Sequence, residues 1–371
     1  MAGKFSNIVK QKLLQTVTNL IPCVGMPLLG IQIDDVGERL QIKLNILNGV
    51  NHNIPSPDKY TRKTSCLLLQ HTFRCIIDKH NDVIYATKVV ASLEMEWRIR
   101  LQIVLHLIRY YRDGDMFVKL SSRLLAPIYC SSIGSLIASH NIQINNTVSS
   151  QALAWLEAGL DSDVASSRLK IASILYCTGD MERAAFILND VDQEYNIDVT
   201  QPVCSCINFT IHYKSGFARL SCQYDEESVK YIIAYCVRFC RAEINCVPRE
   251  LQYEVFRSTQ EDIQHRGIFD YWMDWAVVDS LPYLYFLQYK TFGNLHRPED
   301  QQQAMNKLIG VIETELNFRH RETALNLLGQ CMEQENRLVD ALQCYMLSLR
   351  VRERNNAAKI HICRCLANRY L

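Results

Sequence analysis

Glycine and proline are scarce in this chain, 14 and 9 among 371 residues. An all-β sandwich or barrel spends such residues on one tight turn after another, so that class is disfavoured. Net charge is missing too. Forty Lys and Arg face 39 Asp and Glu, so no overall field draws the chain to nucleic acid or anionic lipid, and either role would need a local patch. No apolar signal core follows Met1. The longest stretch free of Asp, Glu, Lys and Arg, Leu124 to Leu156, is studded with Ser, Asn, Gln, Pro and His, which argues against a membrane span. Fifteen cysteines, scattered through helical-looking stretches, read as reduced and mostly buried thiols. The expected location is the cytoplasm.

Catalytic signatures are also absent. The sequence has no G-x-x-x-x-G-K-[ST], G-x-G-x-x-G, H-E-x-x-H or G-x-S-x-G. Gly134-Ser135 could imitate the turn of a nucleotidyltransferase, but no Asp or Glu follows until Glu157, so paired metal ions could not be held. Cys204-x-Cys206, with His212 and Cys222 downstream, brings metal-ligand types close in sequence. Its C-x-C spacing departs from the usual C-x₂₋₄-C knuckle, so plain core thiols are the expectation. Cys363-x-Cys365 has no partner pair. The ten histidines show no family spacing around a thiol. No catalytic residue, cofactor or metal is expected, and the chain reads as a non-enzyme.

What the chain does have is helical periodicity. Apolar residues at Phe5, Ile8, Val9, Leu13, Leu14, Val17 and Leu20 mark one helix, and Ile33–Leu47 marks a second. Residues 48–64 have loop chemistry. Helical patterns resume at Ser65–Lys79 and Val83–Val90 and are strongest at Leu93–Tyr111. From Phe117 helices follow, with Asn145-Asn146-Thr147 and Asp161–Asp163 as breaks. Further helices are expected at Glu226–Glu243, Arg249–Arg257, Trp272–Thr291, Gln301–Glu315 and Asn356–Leu371, while Ser205–Leu220 is ambiguous.

Two segments carry a repeat arithmetic. Leu325, Leu328, Gly329, Met332, Ala341, Tyr345 and Ser348 fall where a tetratricopeptide-type helix pair wants large, small and aromatic residues. Ala172, Gly179, Ala184 and Leu188 repeat the pattern, with a turn residue five before a small residue and a large one four later. The small residue belongs where two antiparallel helices cross closely, and the turn residue caps the first helix. The copies do not lie a whole number of ~34-residue periods apart. The expected fold is therefore all-α, an irregular, solenoid-like array of helical hairpins over residues 65–371, clearest at 165–190 and 322–371.

The aromatic run Tyr271 to Phe292 reads as helix packing ahead of a peptide groove. Asp270, Asp274 and Asp279 within it read as helix-start and surface residues. The C-terminal excess of Arg350, Arg352, Arg354 and Lys359 is usually a solvated face, yet it is the best candidate surface for a protein or peptide partner, with nucleic acid behind it.

Three strings extend the picture: Glu243-Ile-Asn-Cys-Val-Pro-Arg-Glu-Leu-Gln-Tyr-Glu-Val-Phe-Arg-Ser, Tyr271-Trp-Met-Asp-Trp-Ala-Val-Val-Asp-Ser-Leu-Pro-Tyr-Leu-Tyr-Phe and Arg321-Glu-Thr-Ala-Leu-Asn-Leu-Leu-Gly-Gln-Cys. They resemble the C-terminal helical region of large mollusc proteins of the male-abnormal (Mab-like) family, which is related to cyclic GMP-AMP synthase-like nucleotidyltransferases. The resemblance covers residue 165 onward most specifically, and residues 1–47 look like the closing helices of that family's helical lobe. It implies a catalytic half upstream of Met1 whose Gly-Ser turn and carboxylates have no counterpart here. Two functions follow as expectations: a non-catalytic interaction scaffold, or the accessory C-terminal lobe of a cyclic GMP-AMP synthase-like nucleotidyltransferase whose catalytic domain is missing from this chain.

Overall fold

The computed structural model describes residues 93–367 apart from 161, 205, 207–213, 221–225, 268–269 and 316. These all belong to one compact unit, residues 69–371. The helices expected before residue 93, with the 1–47 and 48–64 segments, lie outside the described residues.

The described chain is largely helical. Helix α1 (Leu93–Asp113) packs on α2 (Met116–Asn145), and α2 packs on α3 (Ser150–Gly159). Asp115 starts α2 by accepting the Val118 N–H at 2.9 Å, and Asn146, left-handed at φ 53°, ends it. The break expected at Asn145–Thr147 is therefore real, but the stretch before it is one 30-residue helix. Gly134 and Ser135 lie inside α2, where Gly134 lets α3 approach: a Cβ there would meet Leu156 Cγ at 2.7 Å.

Helices α4 (Ser166–Thr178) and α5 (Met181–Glu194) form the first hairpin with repeat arithmetic. Gly179 closes α4 at φ 85°, with the Asp180 N–H on Leu175 O at 2.9 Å, and the Asp180 carboxylate caps α5 on the Arg183 N–H at 3.2 Å. Ala172, Ala184 and Leu188 are fully buried.

A stretch with short strands follows. Strand β1 (Gln201–Val203) leads to α6 (Ser215–Leu220), then β2 (Ile233–Tyr235) and β3 (Val237–Phe239). Short helices α7 (Arg249–Gln252) and α8 (Gln260–Gln264) precede β4 (Ala276–Val278). β1 pairs in parallel with β2, Val203 opposite Tyr235. β3 pairs antiparallel with β4, Val237 opposite Val278.

The helix expected over Glu226–Glu243 is thus corrected to a 3-10 turn (Glu226–Tyr231), two strands and a second 3-10 turn (Arg241–Cys246). Its composition explains why. Ile233, Tyr235, Val237 and Phe239 alternate with Ala234, Cys236 and Arg238, a period of two built from β-branched and aromatic residues. The helix expected from Trp272 begins only at Ser280, with Pro282 in its first turn where a missing N–H costs nothing.

The remaining helices are α9 (Ser280–Asn294), α10 (Pro298–Thr314), α11 (Arg321–Gln334), α12 (Leu338–Val351) and α13 (Ala358–Ala367). α9 packs on α10, α11 on α12, and α12 on α13. The α11–α12 turn repeats the α4–α5 device with Asn336 at φ 58° and the Arg337 N–H on Met332 O at 2.8 Å. A third hairpin, α9–α10, uses His296 at φ 55° with the Arg297 N–H on Phe292 O at 3.0 Å. Leu325, Leu328, Ala341 and Tyr345 are buried, and Gly329 faces the Tyr345 ring. No helix among the described residues is long and apolar enough to cross a membrane.

Candidate metal centre

The short strands bring four metal-ligand side chains together. Cys204 follows the last residue of β1, and Cys236 follows the last residue of β2. Because Val203 and Tyr235 are register partners, the next residue of each strand emerges side by side, and the Cys236 N–H on Val203 O at 3.0 Å locks that step. Cys206 lies two residues on, its N–H donating to Cys204 Sγ at 3.2 Å.

The fourth group comes from far away. Asp279, directly after β4, accepts the backbone N–H groups of Arg319 and His320 at 3.0 and 2.8 Å and so fixes the entry to α11. His320 then turns its imidazole into the cysteines. Asp279 is buried, at 2% exposure, which corrects its reading as a surface residue: its carboxylate organises backbone and does not face solvent. Burial raises its pKa to about 6 although His320 opposes the shift.

The ligand atoms of Cys204, Cys206, Cys236 and His320 all lie within 4.8 Å of one another. His320 Nε2 is 3.1 Å from Cys204 Sγ, and Cys206 Sγ is 3.9 Å from Cys236 Sγ. Thiolates about 2.3 Å from a tetrahedral ion stand about 3.8 Å apart, so the sulfur separation matches. Cys206, Cys236 and His320 are buried and Cys204 partly so. Trp272 covers the site, its ring edge-to-face with His320 at 4.8 Å, and Met273 and Val277 complete the apolar shell.

Protons are unevenly held. Burial pushes Cys204 well above the ordinary thiol range and raises Cys206. Hydrogen bonds from Cys204 and Cys206 hold Cys236 well below that range despite its burial. Burial disfavours the His320 imidazolium, but the neighbouring Cys206, Cys236 and Glu322 outweigh it, so its pKa rises. Three thiolates and a neutral imidazole are the state that holds a divalent ion, and the ion's own charge brings it about. With S₃N donation, every position of a tetrahedron is filled by protein, leaving no place for a reacting water.

Cys204 and Cys206, expected from sequence as plain core thiols, thus belong to a cluster whose donor set could hold a metal ion. The partners considered from sequence proximity, His212 and Cys222, lie outside the described residues. The actual partners are 30 residues from Cys206 and 116 from Cys204. The alternating run at 233–239 was the available signal for Cys236; nothing in the sequence near His320 marks it. Cys363 is exposed and Cys365 buried on α13.

The basic C-terminal residues divide. Arg350 and Arg354 are exposed, and Lys359 stands 3.7 Å from Asp262. Arg352 pairs with Glu322 at 3.1 Å and lies over Trp272 at 4.9 Å. The aromatic run is largely core: Trp272, Tyr283, Phe286, Tyr289 and Phe292 are buried, with Tyr283 Oη 2.8 Å from Ser173 Oγ and Tyr289 Oη donating to Glu335 at 2.5 Å. Comparison with protein-family models, curated proteins and solved structures finds no match to this chain.

Proposed function

We propose that this chain is a non-catalytic, cytoplasmic protein-interaction scaffold, a solenoid-like array of tetratricopeptide-like hairpins organised around a structural zinc ion. The observation that supports it is the convergence of Cys204, Cys206, Cys236 and His320 within 4.8 Å from three chain segments. Soft thiolates with one imidazole in a closed tetrahedron suit zinc, and the full protein coordination suits a structural ion. The resemblance to the male-abnormal family belongs to the same proposal, casting the chain as a helical lobe without the family's catalysis.

Elemental analysis of the full chain, produced in zinc-supplied medium, should give one zinc per chain. Cobalt substitution should give the intense visible bands of tetrahedral thiolate coordination, and Cys236→Ser should lose both. Folded wild-type chain without bound zinc, its three thiols freely titratable, would overturn the zinc reading. For the scaffold, reversing Arg350 and Arg354 to Glu should abolish capture of the partner that the wild-type chain enriches, with zinc still at one equivalent. Unchanged capture would remove these residues from the partner face.

A further inference from the structure

The zinc ligand His320 has one ring nitrogen still to account for. Nε2 faces Cys204, while Nδ1 is buried with no hydrogen-bond partner inside the normal limit. The acceptor nearest to hand is Glu322 Oε1 at 3.7 Å, on a side chain 1% exposed. A metal-bound histidine presents its other N–H to a neighbouring acceptor, most often a carboxylate or a carbonyl, which fixes the tautomer and the ring.

Glu322 is held in turn by the end of the array. Its Oε1 accepts Arg352 Nε at 3.1 Å, and its backbone carbonyl accepts Ser348 Oγ at 2.9 Å. The Arg352 carbonyl accepts Asn356 Nδ2 at 2.8 Å, and Asn356 Oδ1 accepts the Ala358 N–H at 2.9 Å, at the first turn of α13. Arg352 also stacks on Trp272, whose edge meets the His320 ring. A chain of contacts thus runs from the metal ligand through Glu322, Arg352 and Asn356 to the last helix.

We propose that Glu322 is the positioning residue for the zinc ligand His320, and that through Arg352 and Asn356 it makes the docking of α12 and α13 depend on zinc occupancy. The inference rests on the zinc reading. With zinc bound, the neutral imidazole donates Nδ1–H to Glu322, the carboxylate stays fixed, and Arg352 keeps its ion pair. With zinc removed, the tether on Nε2 is gone and the ring is free to turn away from Glu322, so the C-terminal hairpin loses its anchor on the centre.

The test is chelator competition on the full chain. Glu322→Gln should weaken zinc binding about 10-fold and Glu322→Ala towards about 100-fold, the range that such supporting carboxylates command. The cobalt spectrum should stay that of three thiolates and one nitrogen. Ala341→Leu, which disturbs the same hairpin, should lower the melting temperature and, because docking and zinc binding are linked, weaken zinc binding less than Glu322→Ala does. Hydrogen exchange should show zinc removal exposing Leu338–Ala367 in the wild type, and Glu322→Ala exchanging fast there with or without zinc. Wild-type affinity in both Glu322 variants, or no change in Leu338–Ala367 on zinc removal, would sink the inference while leaving the zinc reading intact. A wild-type chain that binds no zinc would sink both.

Discussion

His361 is fully buried between two tyrosines, edge-on to Tyr253 at 4.7 Å and stacked on Tyr345 at 4.9 Å, and neither ring nitrogen has a hydrogen-bond partner. Burial, with the nearby Arg364 charge, lowers its pKa from 6.5 to about 3. The folded chain therefore keeps the ring neutral over a range in which the unfolded chain protonates it. By linkage, this contribution to stability is whole above pH 6.5 and is lost as pH falls towards 3, because the unfolded state binds the extra proton. Between pH 6.5 and 5 the loss approaches about 2 kcal/mol, at about 1.4 kcal/mol per unit. Urea midpoints at those two pH values should fall in the wild type and fall less in His361→Phe. Equal falls in both would show that this imidazole does not set the acid limit.

At the level of elements, the α11–α12 crossing depends on Gly329. A Cβ there would lie 2.5 Å from Tyr345 Cε1, and the tyrosine ring has little room to move, since its hydroxyl donates to Glu333 and its other face stacks on His361. Alanine would gain about 1 kcal/mol of helix propensity but pay about 1–3 kcal/mol in overpacking. Gly329→Ala should therefore be net destabilising by about 1 kcal/mol, a fall of a few degrees in Tm. A rise in melting temperature would show that the ring yields freely. Ala341→Leu, at a fully buried position in α12, should cost about 1–3 kcal/mol for the same reason.

Both hairpins with this arithmetic were legible because the information is local. Gly179 and Asn336 take the left-handed conformation that the turn demands, and the small residues five later, Ala184 and Ala341, are fully buried. The two helices of the α9–α10 hairpin were expected as well, but not its left-handed turn residue, His296. The strands at 233–239 and 276–278 escaped because each is three residues long, too short for periodicity to outweigh the helical background.

In the whole molecule, those short strands matter more than their length implies. One parallel and one antiparallel pairing carry Cys204 beside Cys236 and Asp279 to the backbone of His320. Glu322, two residues after His320, pairs with Arg352 just after α12 and so joins this region to the C-terminal pair. The sequence by itself determined the helical character and the left-handed turns at Gly179 and Asn336, because each is set by neighbours within about one or two helical turns. Tertiary structure alone decided the cluster proposed to hold zinc. A coordination sphere is defined by distances in space, and residues 116 positions apart become neighbours only when strand register and a buried carboxylate put them there.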